Sequence, residues 1–282
     1  MYEDIIEKLN NECEIRNLSP RTSFMYEFHT KKFLEWINDK PLSELTLIDV
    51  RNYILERKRN GACAGYCNSM CSALSFFYRH ILHIPWDLDI IPRMKVDWNL
   101  PKTLSREEIE KLIDTAHNIR NKAIIALIYS SGLRAGEVTR LSPEDIYMSS
   151  MQVHVRNSKN RGDHWTVLSE RTLELLKQYW HAYPQPRDVL FVSLRKPYHP
   201  LHVGGIEIMM KKVGKEAGID LHPHTLRHSF ATHLIENNTS REFVQTMLGH
   251  RSSSSTEVYI HVSNKSIMGV KSPLDIPQKE EG

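Results

Sequence analysis

Between residues 83 and 104 the chain reads HIPWDLDIIPRMKVDWNLPKTL, with prolines at 85, 92 and 101 and no helical period. Each proline removes a backbone donor and turns the residue before it toward extended conformations, so no continuous helix passes through. Helical patterning lies on both sides. The stretch therefore predicts an extended connection dividing the 282 residues into two folded parts, each long enough for its own core. We expect an N-terminal helical domain over 1–92, a linker over 93–103, a second domain over 104–264 and a C-terminal segment over 265–282.

The first part reads as four helices. Ile5, Ile6, Leu9 and Cys13 give a short apolar stripe. Ser19 and Pro20 supply an N-cap and a first-turn proline for a second helix, whose inner face is expected at Met25, Phe28, Trp36 and Ile37. A third helix over 47–57 points Val50, Tyr53 and Ile54 inward. Met70, Leu74, Phe77 and Ile81 mark a fourth. Cys63, Cys67 and Cys71 recur every fourth residue along that helix; they read as small apolar thiols in a reduced protein, not as a zinc site.

The second part opens on Ser105 and Glu108, the S-x-x-E pattern of a capping box. Two helices follow, with cores at Ile109, Leu112, Ile113 and at Ile124, Leu127, Ile128, the second ending at Gly132. MQVHV and HWTVL alternate as strands about the polar RNSKNRGD, predicting a hairpin. Further helices are expected over 170–181, 203–217, 223–236 and 241–248, with a short strand VLFVS among them. The fold class is mainly α in two domains, the second with a small antiparallel sheet.

Composition narrows the function classes. Hydrophobic residues make up 40% and charged residues 25% of the chain, as in soluble globular proteins. No apolar run approaches the roughly 20 residues that span a bilayer, and the polar N-terminus is no secretory leader; the expectation is a cytoplasmic protein without membrane contact. The net charge of +3 is too small to argue for nucleic acid by itself, so any DNA case rests on where the charges sit.

Five groups of residues could carry chemistry. HPHTLRHSFATHLIEN, residues 222–237, concentrates histidines: His222, His224 and His228 suit zinc spacing, but no carboxylate accompanies them as in zinc hydrolases. Arg227 lies one turn after His224, beside the apolar Leu226, Phe230 and Leu234, so its guanidinium needs an anion, either a protein carboxylate or a ligand phosphate. In SSGLRAGEVTRL, Arg134 follows the helix-ending Gly132, and Glu137 is placed to hold it. Lys159 and Arg161 sit in the hairpin connection. In MLGHRSSSSTEVYIHVS, His250 follows Gly249, and Tyr259 lies between apolar residues. Arg57, Lys58 and Arg59 form a basic group for DNA phosphates, or a solvated helix end.

Each group alone has a plain structural reading as ion pair, solvated loop or core residue. In order, however, GLRAGE, SK in a hairpin, HTLRHSFATH, LGH and TEVYIHV resemble the signature of the tyrosine recombinases, the phage-integrase-like and Xer-type site-specific DNA recombinases, integron-type integrases included. The resemblance covers about 104–275; the N-terminal helices are compatible with that family's SAM-like core-binding domain.

The resemblance implies that Tyr259 attacks a DNA phosphodiester to give a 3′-phosphotyrosyl link and a free 5′-hydroxyl. Arg134, Arg227 and His250 would grip the non-bridging oxygens, His224 would assist proton transfer, and Lys159, in preference to Arg161, would protonate the leaving oxygen. Glu137 would hold Arg134 from behind. The chemistry asks for these residue types. Equatorial oxygens gaining charge match planar guanidiniums. A tyrosine of pKa about 10 is only about one part in a thousand phenolate at neutral pH and needs help to ionise. The alkoxide leaving group needs an acid. By the same resemblance no metal, cofactor or ATP is required. The partner is double-stranded DNA, bound by a monomer or dimer that assembles as a homotetramer across two sites, with an accessory recombinase in some systems, through a Holliday junction; residues 265–276 would dock on a neighbouring protomer. The competing readings are a type IB topoisomerase, a non-catalytic DNA-binding module and a metal-dependent hydrolase.

Overall fold

The computed structural model describes residues 2–38, 40–96, 102–156, 162–183, 188–194, 198–249 and 271–275. Lys159, Arg161, His250 and Tyr259 lie outside the described residues. The chain forms two compact units, 1–99 and 100–282.

The first unit packs four helices: α1 (Glu3–Ile15), α2 (Pro20–Ile37), α3 (Leu47–Arg59) and α4 (Ala64–His80). The Ser19 hydroxyl accepts from the Thr22 amide at 3.0 Å, with Pro20 in the first turn, so α2 starts where cap and proline direct it. Leu9, Phe33, Val50, Met70, Leu74 and Phe77 are fully buried, and each such side chain contributes about 1.5–3 kcal/mol relative to exposure. Cys13, Cys67 and Cys71 are free and buried, and burial pushes their thiol pKa values up. Cys63 departs from the expected face: it is the exposed N-cap residue, ahead of the first turn of α4.

The inner face of α2 also differs from its hydropathy. The buried residues are His29, Thr30, Phe33 and Leu34, while Phe28 is exposed and stacks on the exposed Phe24. His29 is accommodated because its Nε2 and the Ser69 hydroxyl share a hydrogen bond at 3.2 Å, and burial lowers its pKa. A polar pair thus holds an inward position that apolar patterning assigned elsewhere.

The proline-rich stretch is packed on this unit for much of its length. Ile91 is buried, Arg51 donates to the Ile90 carbonyl at 2.8 Å, and the Asn68 amide exchanges two bonds with the Met94 backbone, both at 2.9 Å.

The second unit begins with α5 (Arg106–Thr115), whose Ser105 and Glu108 form the capping box. α6 (Ile119–Ser131) follows and is the central strut, buried on all sides; a helix apolar around its whole circumference has to be enclosed by its neighbours. It ends at Gly132 in the left-handed region, φ 65°, and a short α7 (Ala135–Val138) comes next. Then come β1 (Ile146–Tyr147), β2 (Gln152–Val155) and β3 (His164–Val167), an antiparallel sheet in sequence order with Val155 opposite His164. β1 has only two residues and leaves too little alternation to read. α8 (Glu170–Ala182), α9 (Val203–Ala217), α10 (Pro223–Glu236) and α11 (Arg241–Met247) complete the unit. The strand expected at VLFVS is instead one isolated bridge, Val192 with Pro200. Phe191 packs with its ring tilted against Tyr179, ring centres 5.3 Å apart, and no further strand lies beside the segment among the described residues. No helix among the described residues is long and apolar enough to cross a membrane.

Near the C-terminus, residues 271–275 pack on this same unit. The Ser272 hydroxyl donates to the Ser130 carbonyl at 2.9 Å. The Asp275 carboxylate accepts from the Ser169 hydroxyl at 2.6 Å and from the Glu170 amide at 3.0 Å, placing a negative charge at the positive end of α8. Asp275→Ala should lower the unfolding free energy by about 1–2 kcal/mol, read from urea denaturation of the full chain.

Candidate active site

The site is organised around Arg227. It stands on the face of α10 that also carries Leu226, Phe230 and Leu234, all fully buried, and is itself only 5% exposed. Its Nη1 donates to the Gly132 carbonyl at 2.6 Å and its Nη2 to the Leu248 carbonyl at 2.5 Å. These carbonyls belong to the residues ending α6 and α11. Nη1 also lies 3.6 Å from a carboxylate oxygen of Glu137.

Glu137, 4% exposed, joins the two arginines. One oxygen accepts from Arg134 Nη1 at 2.6 Å; the other accepts from the Arg134 backbone amide at 2.7 Å and is the oxygen that faces Arg227. The local reason is a tight corner. Gly132 turns the chain out of α6, Arg134 becomes the N-cap of α7, and Glu137 at the third helical position reaches back. Gly132 is required twice over, by its positive φ and by its surroundings: a Cβ there would sit 2.4 Å from Phe230 Cδ1 and 2.9 Å from Leu248 Cδ2. Arg134 keeps 23% of its side chain exposed. Its Nε and Nη2 have no partner among the described residues. Arg134 and Arg227 thus share the Glu137 carboxylate among the described residues.

The four histidines of 222–237 separate in space. His222 is exposed at the N-cap of α10, 3.3 Å from Asp220. His224 is exposed one turn before Arg227. His228 is exposed, and its pKa is lowered by partial burial and by His224 and Arg227. His233 is buried, with Nδ1 2.9 Å from the Tyr129 hydroxyl: a structural pair. Among the described residues no three His, Cys, Asp or Glu side chains are grouped to hold a metal.

His164 went unnoticed in the sequence. It opens β3, is 9% exposed, and neither ring nitrogen has a hydrogen-bond partner among the described residues. Its pKa is lowered to about 4, chiefly by burial, with Arg227, Arg134 and His154 adding to the depression and Glu137 opposing it. The ring is therefore neutral near pH 7, and an unmatched buried N–H of this kind costs about 1–3 kcal/mol. The readable signal was period two: His164 and the fully buried Thr166 alternate with Trp165, so a polar pair faces inward.

In the first unit, Arg57 is half-buried with its guanidinium 5.0 Å from the Tyr53 ring centre, while Lys58 and Arg59 are exposed at the end of α3.

The phage integrase family model matches residues 102–266, and the model for the phage integrase N-terminal SAM-like domain matches residues 5–88. The chain is 29% identical over 263 residues to tyrosine recombinase XerA of Pyrococcus horikoshii, covering 93% of this chain and 90% of the relative. It is 31% identical over 277 residues to tyrosine recombinase XerC of Bacillus pumilus, covering 89% of each. Among solved structures, a lambda integrase dimer bound to a core site superimposes with TM-score 0.70 at 19% identity, over 89% of this chain and 95% of that one. XerH site-specific recombinase bound to its difH substrate does so with TM-score 0.67 at 20% identity, over 93% and 83%. These matches define a tyrosine site-specific recombinase, an enzyme that cleaves and rejoins DNA. The chain belongs to the phage integrase family and is XerA-like, with a SAM-like core-binding domain ahead of the catalytic one.

Glu137 offers a direct test of the charge balance. Glu137→Ala leaves the buried Arg227 without its carboxylate and should cost about 3–5 kcal/mol of stability; Glu137→Gln, which keeps a hydrogen-bonding oxygen, should cost less. Denaturant unfolding of both variants checks the order.

Proposed function

We propose that Arg134 and Arg227 hold the non-bridging oxygens of one scissile DNA phosphate, with His250 as a third donor. The Tyr259 oxygen attacks phosphorus, the bond to the 5′ oxygen breaks, and a 3′-phosphotyrosyl link forms. Lys159 gives a proton to the leaving 5′ oxygen, and His224 assists transfer of the tyrosine proton. Attack by the 5′-hydroxyl of a partner strand reverses the step and reseals the DNA with no external energy, because the link keeps an ester bond. Glu137 holds the two guanidiniums in register. The observation that carries this reading is the shared Glu137 carboxylate, which brings two arginines 93 positions apart in sequence into one cluster. Two fixed guanidiniums suit an oxyanion whose charge grows in the transition state.

In this reading the substrate is a double-stranded recombination site, gripped also through Arg57, Lys58 and Arg59 of the first unit and Arg161 of the second. Four protomers on two sites exchange strands through a Holliday junction, with residues 265–276 docking on a neighbour. Within this chain Ser272 and Asp275 contact Ser130, Ser169 and Glu170; docking on a neighbour would exchange these contacts for the same ones on another protomer, a low-cost route to assembly.

Covalent trapping tests the reading. In EDTA, a pool of nicked duplexes that cannot reseal after cutting should give an SDS-resistant protein–DNA adduct. The adduct should vanish in Tyr259→Phe and in Arg227→Ala, while DNA binding persists. An adduct that survives in Tyr259→Phe would overturn the assignment of the nucleophile.

A further inference from the structure

Arg227 is held by a backbone whose own position needs explaining. Leu248, whose carbonyl accepts from Nη2, is the last turn of α11 and is followed by Gly249 in the left-handed region, φ 59°. The support beneath that glycine is His164. A Cβ added to Gly249 would lie 2.9 Å from both Cε1 and Nδ1 of the imidazole and 3.3 Å from Cγ, so ring and backbone are already in contact and leave no room for a methyl group. A ring with no hydrogen-bond partner among the described residues is located by packing, so its shape and not its polarity sets where Gly249 rests.

We propose that His164 is a positioning residue for the recombination site: its buried imidazole, wedged under Gly249, fixes the Leu248 carbonyl and thereby aims the Arg227 guanidinium. The chain of contact is short and entirely described. β3 carries the ring, the ring carries the α11 exit, and that exit carries one of the two carbonyls that orient Arg227. Gly132 supplies the other carbonyl from the α6 exit, a corner closed by Phe230 and Leu248. Both anchors of the guanidinium are thus glycine corners filled by a ring from another element. Gly132 is filled by Phe230, one turn along α10 from Arg227 itself; Gly249 is filled from the sheet, and that makes the aim of Arg227 depend on β3. A misplacement on the scale of an ångström at such a group is worth about a hundredfold in rate.

The inference rests on Arg227 gripping the phosphate, and the experiment separates the two claims. The readout is the rate of adduct formation at saturating concentration of the nicked-duplex pool, with affinity for the same pool measured separately. His164→Ala should slow adduct formation by about 10- to 100-fold with affinity within a few-fold of wild type. Gly249→Ala, which presses on the same ring from the other side, should slow it as well. In the double variant His164→Ala/Gly249→Ala the two penalties should combine to less than their product, because the removed ring makes room for the methyl group. The decisive arm uses Arg227→Lys, which keeps charge but not the forked donor set: in that background His164→Ala should slow adduct formation much less than in wild type. A merely structural histidine would cost the same in both backgrounds, and that result overturns the proposal, as would wild-type rates in both His164→Ala and Gly249→Ala. If His164→Ala fails to fold, the Gly249→Ala effect and its loss in Arg227→Lys decide the matter alone. Wild-type rates in Arg227→Ala would instead remove the phosphate-gripping role of Arg227, whatever His164 does.

Discussion

A guanidinium taken out of water is the constraint on which the catalytic unit depends. Removing such a charge from solvent carries a penalty of several kcal/mol unless geometry returns it. Here the return comes from two directions at once: the carbonyls of Gly132 and Leu248 on one side and Glu137 on the other. Both carbonyls stand at helix C-termini, where the unpaired oxygens carry the negative end of the macrodipole. Arg227 therefore caps α6 and α11 with one side chain while standing on α10. Three helices meet through a single cation, and none of the three can shift without exposing or stranding it.

That arrangement explains why Glu137 is shared. One carboxylate reaching both guanidiniums fixes each relative to the other. Glu137 binds the Arg134 side chain with one oxygen and the Arg134 backbone with the other, which also faces Arg227. His164 beside them stays uncharged, chiefly because burial lowers its pKa, with the nearby guanidiniums adding to the depression.

The parts of this structure that local chemistry determines were legible in the sequence. Ser105 with Glu108, Ser19 with Pro20, and Gly132 mark helix ends whose side-chain or φ requirements are satisfied within a few residues, and α9 and α10 begin and end where their patterns do. The Arg134–Glu137 pair was readable for the same reason, being three residues apart on one turn. What escaped was set by partners distant in the chain. His29 faces inward because Ser69, 40 positions away, meets its ring; no window of α2 contains that information. Leu190 and Phe191 look like a strand but are buried by helix side chains such as Tyr179. His164 hid in a strand because its relevance arises only when Gly249 arrives beneath it. Cys63 misled in the opposite way, a periodic position that falls one residue before the helix begins.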